Sequence, residues 1–546
     1  MFVASLFLIH YFMKTIFCLF CIFHFTLLFA QPGTLYPNFG SNGITITQIG
    51  AHVTTVRNGM ALQPDGKVVM VGWTGYSPSF DLAVARYLVN GKLDSSFTNG
   101  GVIYANSGGL YNDYASSTAI QADGKILVAG YSTLGPHGDF IIYRFKSNGL
   151  PDSTFNGKGN LKLSINNDDQ CYAMALQSDG KILLAGYSSI QGAGNFSNFA
   201  LVRIHPNGTL DSTFGMGGKA ILPFGNVHSK IYAIALQSDG KIVAVGSINL
   251  AGAQDLALAR FNADGTADIS FGDQGKIIDP LSDIENAAYA VAIQPDGKIL
   301  VAGSGHAFSN YGNFALLRYC PGGYRDESFG TNGLADVPPF GVGNTAYSMV
   351  LQPDSRIVVA GTAGGDLALA KYNPDGTLHT GFGNNGLVIS NISTVSPGNS
   401  TVYSLLLQPD NSLLAGGYVQ ILNNGNAFHH FILAKYFNSL DTGLVNSVAC
   451  APVETHEPSL EKPGIQVSPN PTEQQTTITY DLQQDDYIVI RLFDLSGRLV
   501  KNVVNAEFRE QGDHKETITL DVVPPGYYIL QIANSNHTNS VKIVKQ

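Results

Sequence analysis

Residues 61–75 read ALQPDGKVVMVGWTG. An apolar stretch runs into Asp65-Gly66, and a second apolar stretch follows at once. Nearly the same words return as IQADGKILVAGYS at 120–132 and LQSDGKILLAGYS at 176–188. Asp-Gly between two apolar runs signals a hairpin, and the reading expects a type I′ turn with positive φ at both central residues. The aspartate recurs at Asp65, Asp123, Asp179, Asp239, Asp296, Asp354 and Asp410, at spacings of 56 to 60 residues. A catalytic group needs a singular environment that tunes its pKa. Seven equivalent aspartates argue for a shared local cause, which is the geometry of a turn.

Two more phrases travel with the first. One is DLAVARY (81–87) or NFALVRI (198–204), whose basic residue is Arg86, Arg144, Arg203, Arg260, Arg318, Lys371 or Lys435. Its natural partners are acids such as Asp94, Asp152 and Asp211, as ion pairs at the ends of the strand ladder. The other is NGTLDSTFGMGG (207–218) or DGTADISFGDQG (264–275), whose phenylalanine is Phe97, Phe155, Phe214, Phe271, Phe329 or Phe382. The last unit lacks this third phrase. Its missing copy stands near the other end of the chain, as GTLYPNFGSNG (33–43) with Phe39. The two ends therefore dovetail. An open solenoid needs distinct capping repeats, and a ring does not.

Each unit offers four strand candidates rich in Val, Ile, Tyr and Phe and bounded by Gly, Asn and Asp, in the second unit beginning with GVIYAN from Gly101. Stretches such as KILVAG barely alternate, so both faces are buried, as in blades packed face to face. The predicted fold is all-β: a seven-bladed β-propeller of four-stranded antiparallel blades, followed by a small C-terminal β-sandwich. The three phrases together resemble the delta-60 repeat of secreted bacterial proteins, across residues 31–440. That resemblance supports the fold more than any particular task. Unit six departs from it with Ser355 in place of Gly and His379 in place of Asp; unit seven has Asn411.

Charged residues are only 13% of the chain and the formal net charge is −10. No basic stripe appears, which argues against nucleic acid and anionic membrane surfaces as partners. Residues 1–30 read as a signal peptide, with Lys14 ahead of the apolar run Ile16 to Phe29 and cleavage after Ala30; Met13 is an alternative start. The run is shorter than the ~20 residues a bilayer-spanning helix needs, so no stable transmembrane segment is expected after processing. Cys171, Cys320 and Cys450 would remain, an odd number with no disulfide or zinc pattern.

Residues 441–464 form a Pro- and Glu-rich linker. Residues 465–546 then carry six or seven short strands. SPNP (468–471), DLSGRLV (494–500), PGYYIL (525–530) and KIVKQ (542–546) resemble the type A C-terminal sorting domain of the type IX secretion system of Bacteroidota. The matching positions include Gly497, Gly526, Lys542 and Lys545. The resemblance implies the type IX machinery as a partner, export across the outer membrane, and a secreted or cell-surface location.

No nucleophile elbow, zinc-protease, phosphate-loop or dinucleotide motif occurs in a suitable context. No cofactor is expected. The Asp264/Asp268 spacing resembles a fragment of a calcium loop but lacks its distal Glu. In a four-stranded meander, the uniform Asp-Gly and Phe-Gly connections share one face of the ring, and the variable connections share the other. Function sits on such variable loops. A ligand face is therefore expected from Tyr111, His137, Phe196, His228, His306, Phe308, Tyr311, Phe340, Phe428 and His429. The leading expectation is a non-catalytic exported propeller that binds an extracellular carbohydrate or protein. The alternatives are a polysaccharide hydrolase or lyase using acids such as Asp168, Asp169, Asp283 or Glu285, or a structural adhesion component.

Overall fold

The structure, a computed structural model, describes most of residues 31–438 and, in the C-terminal module, residues 466–468 and most of 472–545. Loop stretches including 190–195, 282–285, 306–312, 336–342 and 393–398 lie outside the described residues. The chain divides into two compact units, one of them Gln31–Ser439 and the other including the C-terminal module.

The first unit holds seven antiparallel sheets. Blade 2 shows the plan: Asn112–Ile120, Ile126–Leu134, His137–Phe145 and Asn160–Leu163, hydrogen-bonded in that order. The first strands of successive blades lie against one another all the way round, blade 7 against blade 1 included. They are therefore innermost. The short fourth strand is outermost, and among the described residues blade 5 shows the bridge Leu317–Leu334 in its place. The second strand is buried on both faces, as in Ile126–Ala129, because neighbouring blades cover it from either side.

The Asp-Gly turn differs from expectation. Positive φ occurs at Gly66 (81°) and its equivalents but not at the aspartates. Gly66 N–H donates to Gln63 O (2.9 Å) and Gln63 N–H to Lys67 O (2.8 Å). This is a type I turn closed by a glycine bulge, the common three-residue hairpin loop. Asp65 Oδ1 accepts from Lys67 N–H at 3.2 Å, and the other six aspartates do the same. They turn a corner. Ser355 (φ 64°) and Asn411 (φ 63°) occupy the glycine position in units six and seven.

The three phrases repeat together because they meet. Arg86 Nε pairs with Asp94 Oδ2 at 2.9 Å, and Lys67 from the hairpin reaches the same oxygen at 3.4 Å. The guanidinium lies over the Phe97 ring, 4.3 Å from its centroid, and donates to Ser147 O of the next blade. The cluster recurs at Arg144–Asp152, Arg203–Asp211, Arg260–Asp268 and Arg318–Asp326, at 2.7–2.8 Å. Each phenylalanine also presses on a glycine of the following blade; a Cβ on Gly149 would stand 2.8 Å from the Phe97 ring. The repeat is thus a staple between blades.

The ring closes with the start of the unit. Ile44–Thr47 pairs with Asn426–Tyr436 as the fourth strand of blade 7, with Ile44 opposite Ala434 and Thr47 opposite Phe431. Tyr36 N–H donates to Lys435 O (2.8 Å), as Asp94 N–H donates to Arg86 O (2.8 Å) inside the array. Phe39 is buried and packs where a Cβ on Gly91 would meet it at 2.7 Å. At this seam the basic residue is Lys435, whose Nζ pairs with Asp410 Oδ2 of the hairpin at 2.7 Å and lies over the Tyr36 ring (4.8 Å).

The C-terminal module has two sheets. One comprises Gln466–Ser468, Gln475–Leu482 and Gly512–Thr519; the other comprises Asp486–Asp494, Leu499–Arg509, Gly526–Ala533 and Thr538–Lys545. Ile478, Tyr480 and Ile518 of the first share one core with Ile488, Ile490, Leu492 and Ile543 of the second. Gly526 pairs with Lys545 and Ile529 with Lys542; Thr472 bridges to Lys545 and covers that end of the edge strand. Gly497 lies outside the described residues, as does Ala30.

Candidate functional site

The innermost strands carry a recurring irregularity. In blades 2 to 7 the register slips by one residue, between Ala115/Ser117, Cys171/Ala173, Ile231/Ala233, Ala288/Ala290, Ala346/Ser348 and Val402/Ser404. A bulge of this kind re-aims a side chain. The extra residue is Ser116 in blade 2 and a tyrosine in the next five: Tyr172, Tyr232, Tyr289, Tyr347 and Tyr403. On the facing strand stands the glycine that ends KILVAG. A Cβ on Gly130, Gly186, Gly246, Gly303, Gly361 or Gly417 would lie 1.7–1.9 Å from the carbonyl oxygen of the strand opposite. None of these six has positive φ. The residue is glycine for room, so that the bulged backbone can approach.

The bulged tyrosines touch in sequence around the ring. Ring centroids are 5.6 Å apart for Tyr172–Tyr232, 5.2 Å for Tyr232–Tyr289, 5.1 Å for Tyr289–Tyr347 and 4.7 Å for Tyr347–Tyr403. The path continues to Tyr418 (5.9 Å) and His429 (4.8 Å) in blade 7. In the other direction it passes Tyr131 (6.0 Å), Tyr114 (4.8 Å), Trp73 (5.3 Å) and Phe80 (4.9 Å) in blades 2 and 1. Most of these rings are half-buried. The bulged tyrosines lie in the first half or middle of the innermost strands, Tyr289 being the third residue of Ala287–Ile293, while Trp73, Tyr131 and Tyr418 belong to second strands and Phe80 and His429 to the start of third strands, beside the variable connections. Burial pushes the Tyr114 hydroxyl above its ordinary pKa, and burial with the neighbouring Tyr172 and Asp168 does so more strongly for Tyr187. These hydroxyls stay protonated. Tyr172 donates to Gln170 Oε1 (2.6 Å), Tyr187 to Asp168 Oδ2 (3.0 Å) and Tyr418 to Asn399 Oδ1 (2.9 Å).

The residues expected from the loops are partly brought together. Phe196 lies edge-on to His228 at 5.5 Å, and His228 Nδ1 accepts from Ser197 N–H at 3.2 Å. Tyr111 sits beneath Lys162 Nζ at 3.7 Å, and His137 Nδ1 is 3.1 Å from Asn167 Nδ2. Phe428 pairs opposite Ile421, and His429 ends the aromatic path. His306, Phe308, Tyr311 and Phe340 lie outside the described residues, as do Asp283 and Glu285. Asp169 is buried and accepts from Ile165 N–H (2.6 Å) and Asn166 N–H (2.9 Å); burial raises its pKa. It holds a loop, as Asp113 does at the same repeat position by accepting from the Ser107 N–H and from the Ser107 hydroxyl (3.0 Å). Asp264 bonds its own Thr266 and Asp268 pairs with Arg260, so these carboxylates serve separate neighbours. The sequence reading missed the tyrosines. Their signal is a tyrosine five residues ahead of the glutamine that opens the Asp-Gly hairpin, at Tyr172, Tyr232, Tyr289, Tyr347 and Tyr403.

The β-propeller domain of unknown function DUF5122 matches at residues 63–97, 121–155, 177–214, 237–271, 294–329 and 352–382. A secretion system C-terminal sorting domain matches residues 466–546. None of the curated proteins matches. Among solved structures, the chain is similar to a polysaccharide lyase of the PL25 ulvan lyase family (10% identity, 72% of this chain and 96% of that one, TM-score 0.42). It is also similar to the polysaccharide lyase Uly1 (13%, 73% and 92%, TM-score 0.39) and to a hypothetical protein from Leishmania major (10%, 47% and 86%, TM-score 0.22). Likenesses this distant assign no substrate. The two lyases nevertheless overturn the expectation of a non-catalytic propeller, which rested on missing motifs. In a ring, groups from separate blades meet at the axis without sharing any stretch of sequence.

Proposed function

We propose that this chain, a propeller of DUF5122-type repeats carrying a type IX sorting domain, binds an extracellular glycan along its axial aromatic girdle. The sorting domain directs it to the cell surface or the extracellular space and implies engagement with the type IX machinery. The observation that carries the proposal is the unbroken series of rings, most of them half-buried, from Phe80 and Trp73 to His429. Sugar rings present C–H faces that stack on aromatic rings, and tyrosine adds a hydroxyl at the rim for hydrogen bonding. A ring of such platforms suits a chain of repeated units.

The test compares the intact protein with Tyr289→Ala/Tyr347→Ala against a panel of soluble polysaccharides. Loss of at least tenfold in affinity, about 1.4 kcal/mol, at unchanged melting temperature is expected. Polymer chain length is followed in the same samples, so that binding and cleavage are scored separately. Equal affinity of both proteins for every polymer bound would remove the girdle as the site.

A further inference from the structure

Lys230 is unlike the other described cations of the propeller. The staple arginines pair with aspartates, Lys162 with Asp139 (3.1 Å), and Lys219 and Lys276 donate to Ser164 O (2.9 Å) and Pro223 O (3.2 Å). Among the described residues Lys92, Lys146 and Lys158 have no such partner, and they are exposed. Lys230 is half-buried, yet among the described residues its ammonium makes no ion pair or hydrogen bond with the protein. It stands 4.7 Å from the centroid of the Tyr187 ring, across the junction of blades 3 and 4. Asp168, the carboxylate bonded to Tyr187, is taken up by that hydroxyl and by Gly138 N–H (2.9 Å).

Lys230 also sits within the girdle. It occupies the innermost strand of blade 4, two residues before the bulged Tyr232 and two after His228. Tyr187 reaches Tyr172, the neighbour of Tyr232, at 6.1 Å. A half-buried ammonium over a phenol ring gains some attraction from the ring, but its charge is unmatched. The chain as a whole is acidic, with net charge −10, so no diffuse field draws in anions. An anion here is held locally or not at all.

The geometry points to an acidic polysaccharide as the ligand, with a carboxylate or sulfate of one sugar received by Lys230 while an adjacent sugar ring stacks on the half-buried Tyr172, which the buried Tyr187 and Tyr232 back from behind. This inference rests on the girdle being the glycan site and adds the class of glycan. The experiment measures binding of the intact protein and of Lys230→Met, which keeps the aliphatic stem, to dextran, dextran sulfate and polygalacturonate. Tyr289→Ala/Tyr347→Ala is run alongside. At least one acidic polymer is expected to bind tenfold or more tighter than dextran, to weaken as salt rises, and to fall to the dextran level in Lys230→Met. The two acidic arms tell sulfate from carboxylate. If dextran binds equally well, or the acidic preference survives Lys230→Met, the role of Lys230 is overturned while girdle binding stands. If no polymer binds and the tyrosine variant is silent, the glycan reading fails and the lysine with it.

Discussion

Asp65 and Asp94 belong to the same repeat and do different things. The Asp65 side chain is 54% exposed and closes a turn, whereas that of Asp94 is 4% exposed and faces Arg86. Asp268 is the same case one staple further round. Burial pushes its carboxyl up, but the Ser270 hydroxyl, the Lys241 ammonium and the Arg260 guanidinium together outweigh that and hold it well below the usual range. Asp94, Asp152, Asp211 and Asp326 are lowered likewise. A carboxylate with a depressed folded pKa stabilises fully above its unfolded value, about 3.9, and loses that contribution as pH falls through the folded value. Melting temperature should therefore be insensitive to these five groups from pH 7 to about 5 and fall steeply below pH 4. Asp268→Asn strands a buried guanidinium and should cost about 3 kcal/mol, read by urea unfolding at pH 7. A loss under 1 kcal/mol would show that Arg260 finds another partner.

At the scale of the element, the strand pair is built around its bulge. In blade 4 a Cβ on Gly246 would come within 1.8 Å of Lys230 O, which is backbone and cannot swing away. Gly246→Ala should cost about 3 kcal/mol or more and weaken polysaccharide binding by displacing Tyr232 and Lys230 together. Unchanged stability would mean that the bulge relaxes without loss. The hairpins and the buried second strands were legible because each is a local rule written seven times, and the staples because theirs is written in five of the seven units. The blade boundary was not. GVIYAN (101–106) reads as the first strand of a unit, yet Val102–Ala105 is the outermost strand of the preceding blade. Period alone fixes the length of a repeat and leaves its phase open. The girdle was hidden for a related reason. Strand alternation predicts which face a residue takes, and a bulge reverses alternation at the residue that matters. Lys230, one unit's departure from the pattern, could be recognised only once its surroundings were known.

At the scale of the whole molecule, the seam should be as strong as the interior. Phe39 does for blade 7 what Phe214 does for blade 3, each pressed on a glycine of the following blade, Gly91 or Gly265. In an open array a terminal phenylalanine would matter little. In a closed ring, Phe39→Ala and Phe214→Ala should each cost roughly 3–5 kcal/mol and shift melting temperature alike. A much smaller effect for Phe39 would mean that the ring unfolds from its seam.

The pairing of Ile44 with Ala434 sets a schedule for the growing chain. The segment that seals the circle is made among the first, and the edge it must find is made nearly last, so it waits unmatched while six blades assemble. Contacts so remote in sequence form slowly, and until they do both partners offer bare strand edges to any passing polypeptide. A chain cut short before Asn426–Tyr436 could never hide its beginning, and would be a target for proteases however well its middle had folded.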